Sequence, residues 1–289
     1  MTISARIGVL GLGRLGSCLV RALTAAGVTQ IAIATRERAT AEQFASTLGA
    51  GAQAVDASEI ADSADLVFLA VPDATVRETC GALPLTATHA VVHLSGVLGL
   101  DCLEPAAVRG ARIGALHPLQ AFPAGSSSDR FRGVYTGIEA SDPALTAQLE
   151  TIARALGATP FSLAGVDRAA YHAAAVLTSN YVVALHAAAA EVWRQAGLPP
   201  SAARAALAPL TLGAAQAISE RELPEALTGP IARGDVRSVA SHLQVLQADP
   251  EHASLYRALA RELLRLPLGL SAEAQRALAA LVEEPRSPG

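Results

Sequence analysis

The sequence contains no lysine and very few aromatic residues. All 22 basic residues are arginine, and Phe, Trp and Tyr together make up 3% of the chain. The absence of lysine excludes Schiff-base chemistry and any lysine acid or nucleophile. The 26 acidic residues leave a net charge of −4, which argues against a nucleic-acid-binding surface.

Cysteine is also scarce, since only Cys18, Cys80 and Cys102 occur. Their odd number and spacing predict neither a disulfide framework nor a metal site, and favour a reducing cytoplasm. A strand pattern begins within a few residues of Met1, so we expect no secretion signal. Residues 169–190 form the most apolar long stretch. Because His172, Asn180 and His186 interrupt it, we interpret it as a buried helix and not as a membrane span.

The 289 residues are 51% hydrophobic and 17% charged, which is typical of a folded chain with two cores. In the first half, short apolar runs alternate with helix-like segments, which predicts an α/β domain with a mostly parallel sheet covered on both faces. The expected strands are Ile7 to Leu10, Gln30 to Ala34, Leu66 to Val71, Ala90 to Leu94 and Arg112 to Leu116; the expected helices are Arg14 to Ala26, Thr40 to Leu48 and Thr75 to Cys80.

Strand signals stop at about Leu163. A single helical pattern of about 30 residues runs from Asp167 to Ala196, and it ends at Gly197 before two prolines. Further helical patterns follow. We therefore predict an α/β domain over residues 1–163 and an all-helical domain over residues 164–289.

A glycine motif occupies Gly11-Leu12-Gly13-Arg14-Leu15-Gly16. The three-glycine pattern alone has low specificity, but here it directly follows an apolar strand and opens a helix. In that context Gly11 permits a tight turn, Gly13 lets a pyrophosphate approach the backbone, and Gly16 allows close helix packing. The motif predicts a Rossmann-like dinucleotide site that includes Arg14 and Leu15.

The residues after the second strand indicate which dinucleotide binds. The strand runs into Thr35-Arg36-Glu37-Arg38. A hydroxyl and two guanidinium groups suit a 2′-phosphate, so NADP is favoured over NAD, and Thr35, Arg36 and Arg38 are its predicted ligands. If Glu37 instead held the ribose, NAD would be the cofactor.

Three later strands end in polar residues on the same expected edge. Val71, Pro72 and Asp73 should lie against the nicotinamide ribose, because open α/β sheets bind ligands at strand carboxyl ends. Ser95 and His117 follow the next two strands and are candidate substrate contacts. A structural turn would also explain His117, and His93 within its strand is interpreted as core.

The long helix carries His172, Ser179 and Asn180 on one broad face if it is uninterrupted. Buried polar groups need partners, and a substrate could be one. We take His172 as the candidate acid and Asn180 as an orienting residue. A later turn, residues 226–235, offers Thr228 and Arg233 as ligands for a substrate carboxylate.

Together these segments resemble NADP oxidoreductases that have a Rossmann-like domain followed by an all-helical domain of uncharacterised function. The resemblance rests on the glycine motif, His117-Pro118-Leu119-Gln120, Tyr171-His172-Ala173-Ala174-Ala175 with Ser179-Asn180, and residues 227–235. It implies a helical domain similar to those of 6-phosphogluconate dehydrogenase, pyrroline-5-carboxylate reductase and ketopantoate reductase, and a homodimer formed through those helices.

One departure from these relatives bears on mechanism. Hydroxyisobutyrate-type dehydrogenases and ketopantoate reductases use a helical lysine one turn before an asparagine, but Val176 stands four residues before Asn180. We therefore expect NADPH-dependent reduction of a small carboxylate-bearing carbonyl or imine without that lysine. Two alternatives remain: an NADP(H)-binding sensor without catalysis, and a deazaflavin-coupled reductase, which is disfavoured because its C-terminal part would be shorter.

Overall fold

The computed structural model describes residue 3 and residues 5–283, and its first part is built on one eight-stranded sheet. The strand order is β3-β2-β1-β4-β5-β6-β7-β8, and every neighbouring pair is parallel except β6 and β7. The strands are β1 (Ile7–Leu10), β2 (Ile31–Ala34), β3 (Ala52–Ala54), β4 (Leu66–Leu69), β5 (Ala90–His93), β6 (Arg112–Pro118), β7 (Tyr135–Ala140) and β8 (Thr159–Ser162).

Helices cover both faces of the sheet, as continuous apolar strands require. The helices of the first part are α1 (Arg14–Ala25), α2 (Arg38–Ser46), α3 (Ile60–Ser63), α4 (Val76–Ala82), α5 (Glu104–Ala107), α6 (Pro143–Ala155) and α7 (Arg168–Thr178). One core cluster packs α1, α2 and α6 against the sheet, and a second packs α3, α4 and α5. The predicted α/β class with a mostly parallel sheet is confirmed.

In the first part of the chain, the sequence patterns missed three strands and three helices. They did not predict β3, β7 and β8, or α3, α5 and α6, and β6 continues two residues beyond its expected end at Leu116. The patterns of β3 and β8 are short and only partly buried, with no residue of either strand fully buried. A strand that lacks an apolar run gives little signal in a sequence.

The predicted single helix from Asp167 to Ala196 is wrong, because it is interrupted at Ser179. Helix α7 ends at Thr178, and α8 begins at Asn180. The hydroxyls of Thr178 and Ser179 donate to backbone carbonyls one turn earlier, and the backbone of Ser179 leaves the helical region at φ −125° and ψ −70°. Such side-chain bonds compete with helix continuation. The shared face calculated for His172, Ser179 and Asn180 therefore does not hold.

The chain divides into two compact units, residues 1–179 and 180–289, so α7 lies with the sheet. The second unit contains α8 (Asn180–Gln195), α9 (Pro200–Glu220), α10 (Leu223–Ala226), α11 (Val236–Leu246), α12 (Pro250–Leu264) and α13 (Ala272–Val282). Its small core is formed by α11, α12 and α13. The predicted domain boundary between residues 163 and 164 stays a prediction.

Residues Arg168–Gln195 are long and apolar enough to cross a membrane, by length and composition only. No residue of α8 is buried within the chain, which corrects the expectation of a buried helix. The alanine and valine side chains of α8 instead form an exposed apolar surface. A single such segment is weak support for a membrane span.

Candidate functional site

The glycine motif forms the turn between β1 and α1. Gly11 has φ +105°, a conformation that favours glycine, and a Cβ at Gly16 would lie 2.1 Å from the carbonyl oxygen of Gly11. Gly13 caps α1 without a side-chain bond, and a Cβ there would meet no atom within 4 Å. The turn is therefore tight where the backbone packs and open where the helix begins. This fits a pyrophosphate at the helix N-terminus beside Arg14 and Leu15.

The two arginines after β2 differ in their surroundings. Arg38 forms ion pairs with Glu42 and Asp56, at 3.1 Å and 2.8 Å. Arg36 is exposed and has no ion pair or hydrogen bond within the described part of the chain. Its guanidinium, next to the half-buried Thr35, is therefore free to bind a 2′-phosphate, whereas that of Arg38 is neutralised by carboxylates.

The turn after β4 is linked to the turn after β5. The Ser95 hydroxyl donates to a carboxylate oxygen of Asp73 at 2.8 Å, and it accepts bonds from the backbone N–H groups of Val97 and Leu98. Asp73 directly follows Val71 and Pro72 and begins a 3₁₀ turn ahead of α4. The Asp73–Ser95 bond thus joins the predicted nicotinamide turn to a predicted substrate contact.

Helix α7 places Tyr171 and His172 beside the end of β6. The Tyr171 hydroxyl and His117 Nδ1 are 2.7 Å apart, and the His117 and His172 ring centroids are 6.2 Å apart. Both rings approach Gly96: a Cβ there would lie 2.8 Å from His117 Nε2 and 2.9 Å from His172 Nδ1. The structure therefore brings His117, His172 and Ser95 to one place, at the carboxyl ends of β5 and β6.

His93 and His117 carry no charge at neutral pH. Burial lowers the pKa of His117 from its ordinary value of 6.5 to about 4, with further lowering by His172 and Arg168. Burial likewise lowers the pKa of His93 to about 4. His93 is fully buried in β5, as expected, and its Nδ1 accepts a bond from the Ser95 N–H at 3.2 Å. His172 Nδ1 is buried and has no hydrogen-bond partner.

Arg168, at the first position of α7, is a buried cation whose charge lowers the pKa of His117. It forms an ion pair with Glu139 of β7, and its Nε and Nη1 atoms are buried without partners. Asp167 caps α7 by accepting bonds from the backbone N–H groups of Ala169 and Ala170. The cap and the ion pair both fix the start of α7, and therefore the positions of Tyr171 and His172 one turn later.

Three predicted substrate contacts lie in the second unit. Asn180 is the first residue of α8, and Thr228 and Arg233 are exposed in the segment between α10 and α11. Their roles stay predictions.

Sequence reasoning did not assign Gly96, Tyr171 or Arg168 to the site. Gly96 could have been found from its place directly after Ser95. The ion pair of Arg168 with Glu139 joins residues 29 apart, which no local pattern indicates. Within the described residues, no group of three His, Cys, Asp or Glu side chains could hold a metal ion.

Comparison with known families matches two parts of the chain. Residues 6–95 match the family described as NADP oxidoreductase coenzyme F420-dependent, and residues 134–263 match a domain of unknown function, DUF2520. A comparison with curated proteins finds no match.

Solved structures match over most of the chain. One described as an NADP oxidoreductase of Bacteroides fragilis is 27% identical, with a TM-score of 0.71 over 89% of this chain and 96% of that one. A Thermotoga maritima protein is 24% identical, with a TM-score of 0.73 over 93% and 99%. A 1-pyrroline-5-carboxylate reductase of Streptococcus pyogenes is 15% identical, with a TM-score of 0.62 over 91% and 99%, and shares the fold.

These matches agree with the geometry of the glycine turn and with the helical second part. The chain therefore belongs to the NADP oxidoreductases in which a Rossmann-like domain is followed by a DUF2520 domain, and NADP is its cofactor.

Proposed function

We propose that the protein reduces a small, carboxylate-bearing carbonyl or imine at the carboxyl ends of β4, β5 and β6. The observation that carries this proposal is the group of polar side chains joined there, Asp73 with Ser95 and His117 with Tyr171. These side chains lie at the carboxyl ends of the strands, as the glycine turn does. Open α/β sheets bind their ligands at this edge. NADPH supplies the hydride.

His172 is the proposed proton donor. Its Nδ1 atom is buried without a partner beside Gly96, so a ligand at this position could complete its hydrogen bonding. Histidine is a common proton donor in catalysis, and this chain has no lysine for the task. Ser95 would orient the substrate, with Asp73 holding its hydroxyl.

The structural relatives support the choice of substrate class. The Streptococcus pyogenes relative is named as a reductase of a cyclic imine acid, and its likeness to this chain covers both parts. Asn180 as an orienting residue, and Thr228 and Arg233 as carboxylate ligands, belong to the same proposal. We also propose a cytoplasmic homodimer. Three buried free thiols and the exposed apolar helices support these two points.

Paired titrations of the purified protein with NADPH and NADH, followed by nicotinamide fluorescence, test the cofactor site. We expect NADPH to bind about tenfold or more tightly, because a free guanidinium adds charge-assisted bonds to the 2′-phosphate. Arg36→Ala should remove this preference. Arg38→Ala is the matched control and should largely keep it, because the Arg38 charge is already paired.

Equal binding of the two cofactors would make Glu37 the ribose ligand and would contradict the assignment of Arg36. If NADPH binds more tightly, a substrate is sought by measuring NADPH consumption with a panel of 2-oxo acids, aldehydes and cyclic imines. A cofactor-dependent change in assembly without any consumption would favour the sensor function instead.

A further inference from the structure

His117 is held on one side of its ring by Tyr171. The phenol oxygen lies 2.7 Å from His117 Nδ1, and the two rings meet edge to face with centroids 5.4 Å apart. Tyr171 also contacts Phe161 of β8, with ring centroids 6.1 Å apart, so the phenol is fixed from two directions. Proton donation by His172 and substrate orientation by Ser95 do not require this contact.

The contact determines where the imidazole carries its hydrogen. A phenol O–H is a stronger donor than a neutral imidazole N–H, and an imidazole nitrogen is a stronger acceptor than a phenol oxygen. Burial raises the pKa of Tyr171, so the phenol keeps its proton. Tyr171 therefore donates to Nδ1, and the hydrogen of His117 lies on Nε2.

The charge of His117 is fixed as well. The titratable and charged groups around it are Tyr171, His172 and Arg168 from α7, and His93, Asp73 and Glu139 from the strands and their turns. Burial, His172 and Arg168 lower its pKa to about 4, against a smaller opposing effect of Asp73. His117 is a neutral N–H donor over the working range of an ordinary enzyme.

Gly96 allows this donor to reach the end of β5. His117 Nε2 and His172 Nδ1 both lie within 2.9 Å of the position that a Cβ of residue 96 would occupy. Any larger residue would displace the two rings, so a glycine is required at this position. The result is a pair of imidazole nitrogens that converge at the strand ends where we place the substrate.

We propose that His117 acts as a neutral hydrogen-bond donor that polarises the substrate C=O or C=N group through Nε2–H, and that Tyr171 is the positioning residue that fixes this tautomer. The inference rests on the proposed function. Hydride adds to the substrate carbon, the π electron pair moves to oxygen or nitrogen, and that atom takes the proton of His172. An N–H donor needs a lone pair on the substrate, so the substrate is a carbonyl or a neutral imine and not an iminium ion.

Histidine-selective ¹⁵N NMR of the cofactor-free protein tests the tautomer without any substrate. The His117 signals are assigned with His117→Gln. We expect neutral His117 with its proton on Nε2 in the wild type, and mixed tautomers in Tyr171→Phe. A proton on Nδ1 in the wild type, or an unchanged tautomer in Tyr171→Phe, would overturn the proposal.

The matched control is Tyr256→Phe. The Tyr256 hydroxyl lies 3.0 Å from His242 Nδ1 in the second unit, and those rings also meet edge to face. This variant should change the His242 signals and leave His117 as in the wild type.

Kinetics test the substrate class. Tyr171→Phe should lower kcat about tenfold or more and leave NADPH affinity unchanged, while Tyr256→Phe keeps both. Near neutral pH, where part of the 1-pyrroline is uncharged, this compound should be reduced faster than the permanently charged N-methyl-1-pyrrolinium ion. Equal rates for the two compounds would contradict the role of His117. Failure of the wild type to bind NADPH would instead contradict the proposed function. The tautomer of His117 measured by NMR in the cofactor-free protein would still stand.

Discussion

At the scale of single residues, the candidate site depends on two imidazoles with different hydrogen bonding. His117 has a phenol partner at Nδ1, whereas the Nδ1 of His172 is buried and unpartnered. An unpartnered buried nitrogen is costly, and a ligand could supply the missing bond. We therefore assign proton donation to His172 and polarisation of the substrate to His117.

His172→Gln should lower kcat about 100-fold or more, because the amide keeps a hydrogen-bonding group but cannot donate a proton in this way. Steady-state kinetics with the best substrate of the panel measure the effect, and NADPH titration should show unchanged affinity. An unchanged kcat would remove His172 from this role.

His186→Gln is the matched control for this substitution. His186 lies on the following helix, α8, where its Nε2 contacts the hydroxyl of Thr211 on α9. That contact joins two residues of the second unit, and neither has a role in the proposed chemistry, so kcat should stay as in the wild type.

At the scale of elements, the β1–α1 turn contains one glycine that is needed for packing and another that is needed for cofactor binding. Gly16 contacts the Gly11 backbone, while Gly13 faces open space at the start of α1. The φ of Gly13 is −64°, which an alanine also adopts. Two glycines of one motif therefore have different physical requirements.

Gly13→Ala should keep the urea unfolding midpoint and weaken NADPH binding about tenfold, because its methyl group occupies the approach of the pyrophosphate. Gly16→Ala should lower the midpoint, because its Cβ would lie 2.1 Å from a backbone oxygen and 2.8 Å from the Ala70 side chain. Urea unfolding and fluorescence titration measure both effects.

The control is Gly213→Ala in α9, where a Cβ also meets no atom within 4 Å. This variant should keep NADPH affinity and leave stability equal or slightly higher, since alanine favours a helix. Unchanged NADPH affinity in Gly13→Ala would exclude close approach of the phosphates at this position.

At the scale of the whole molecule, the exposed apolar surface of α8 and α9 needs an explanation. Val183 is 71% exposed and Leu210 and Leu212 are each 70% exposed. Clusters of exposed large apolar side chains mark interaction surfaces more often than single ones do. A second copy of the chain would cover them in the homodimer that we propose.

Analytical ultracentrifugation should give twice the chain mass of 29.5 kDa. Val183→Glu combined with Leu210→Glu should shift the protein towards monomer, because burying two carboxylates in an apolar interface is costly. Val108→Glu is the control, since Val108 is 80% exposed in the first unit. A monomeric wild type would contradict the proposed dimer.

Acid should destabilise the whole fold through its buried histidines. The folded pKa values of His93 and His117 are lowered from 6.5 to about 4, so the unfolded chain binds more protons between these values. Their contribution to stability is therefore complete above about pH 6.5 and is lost as the pH falls towards 4. Once the pH is below both pKa values, each histidine lowers the free energy of unfolding by about 3 kcal/mol relative to neutral pH.

Urea unfolding at neutral pH and near pH 4.5 measures this loss. His93→Gln should reduce the difference between the two pH values, because glutamine does not titrate and its oxygen can accept the Ser95 N–H. A pH difference equal to that of the wild type would show that His93 does not titrate as described.

Local sequence patterns determined the order of β1, α1, β2, β4 and β5, the glycine turn, and the change from strands to helices. Each of these depends on neighbouring residues: an apolar run, a glycine that permits a turn, or the period of a helix. The same patterns pointed to Ser95, His117 and His172, because polar residues at strand ends and on an apolar helix stand out.

The tertiary structure alone decided which of these residues meet. The Tyr171–His117 contact joins residues 54 apart, and the Asp73–Ser95 bond joins residues 22 apart. The pairing of Arg38, the buried neutral state of His117 and the need for glycine at residue 96 also depend on distant neighbours. Charge, tautomer and close approach are set by surroundings that packing brings together, and a local pattern contains no information about them.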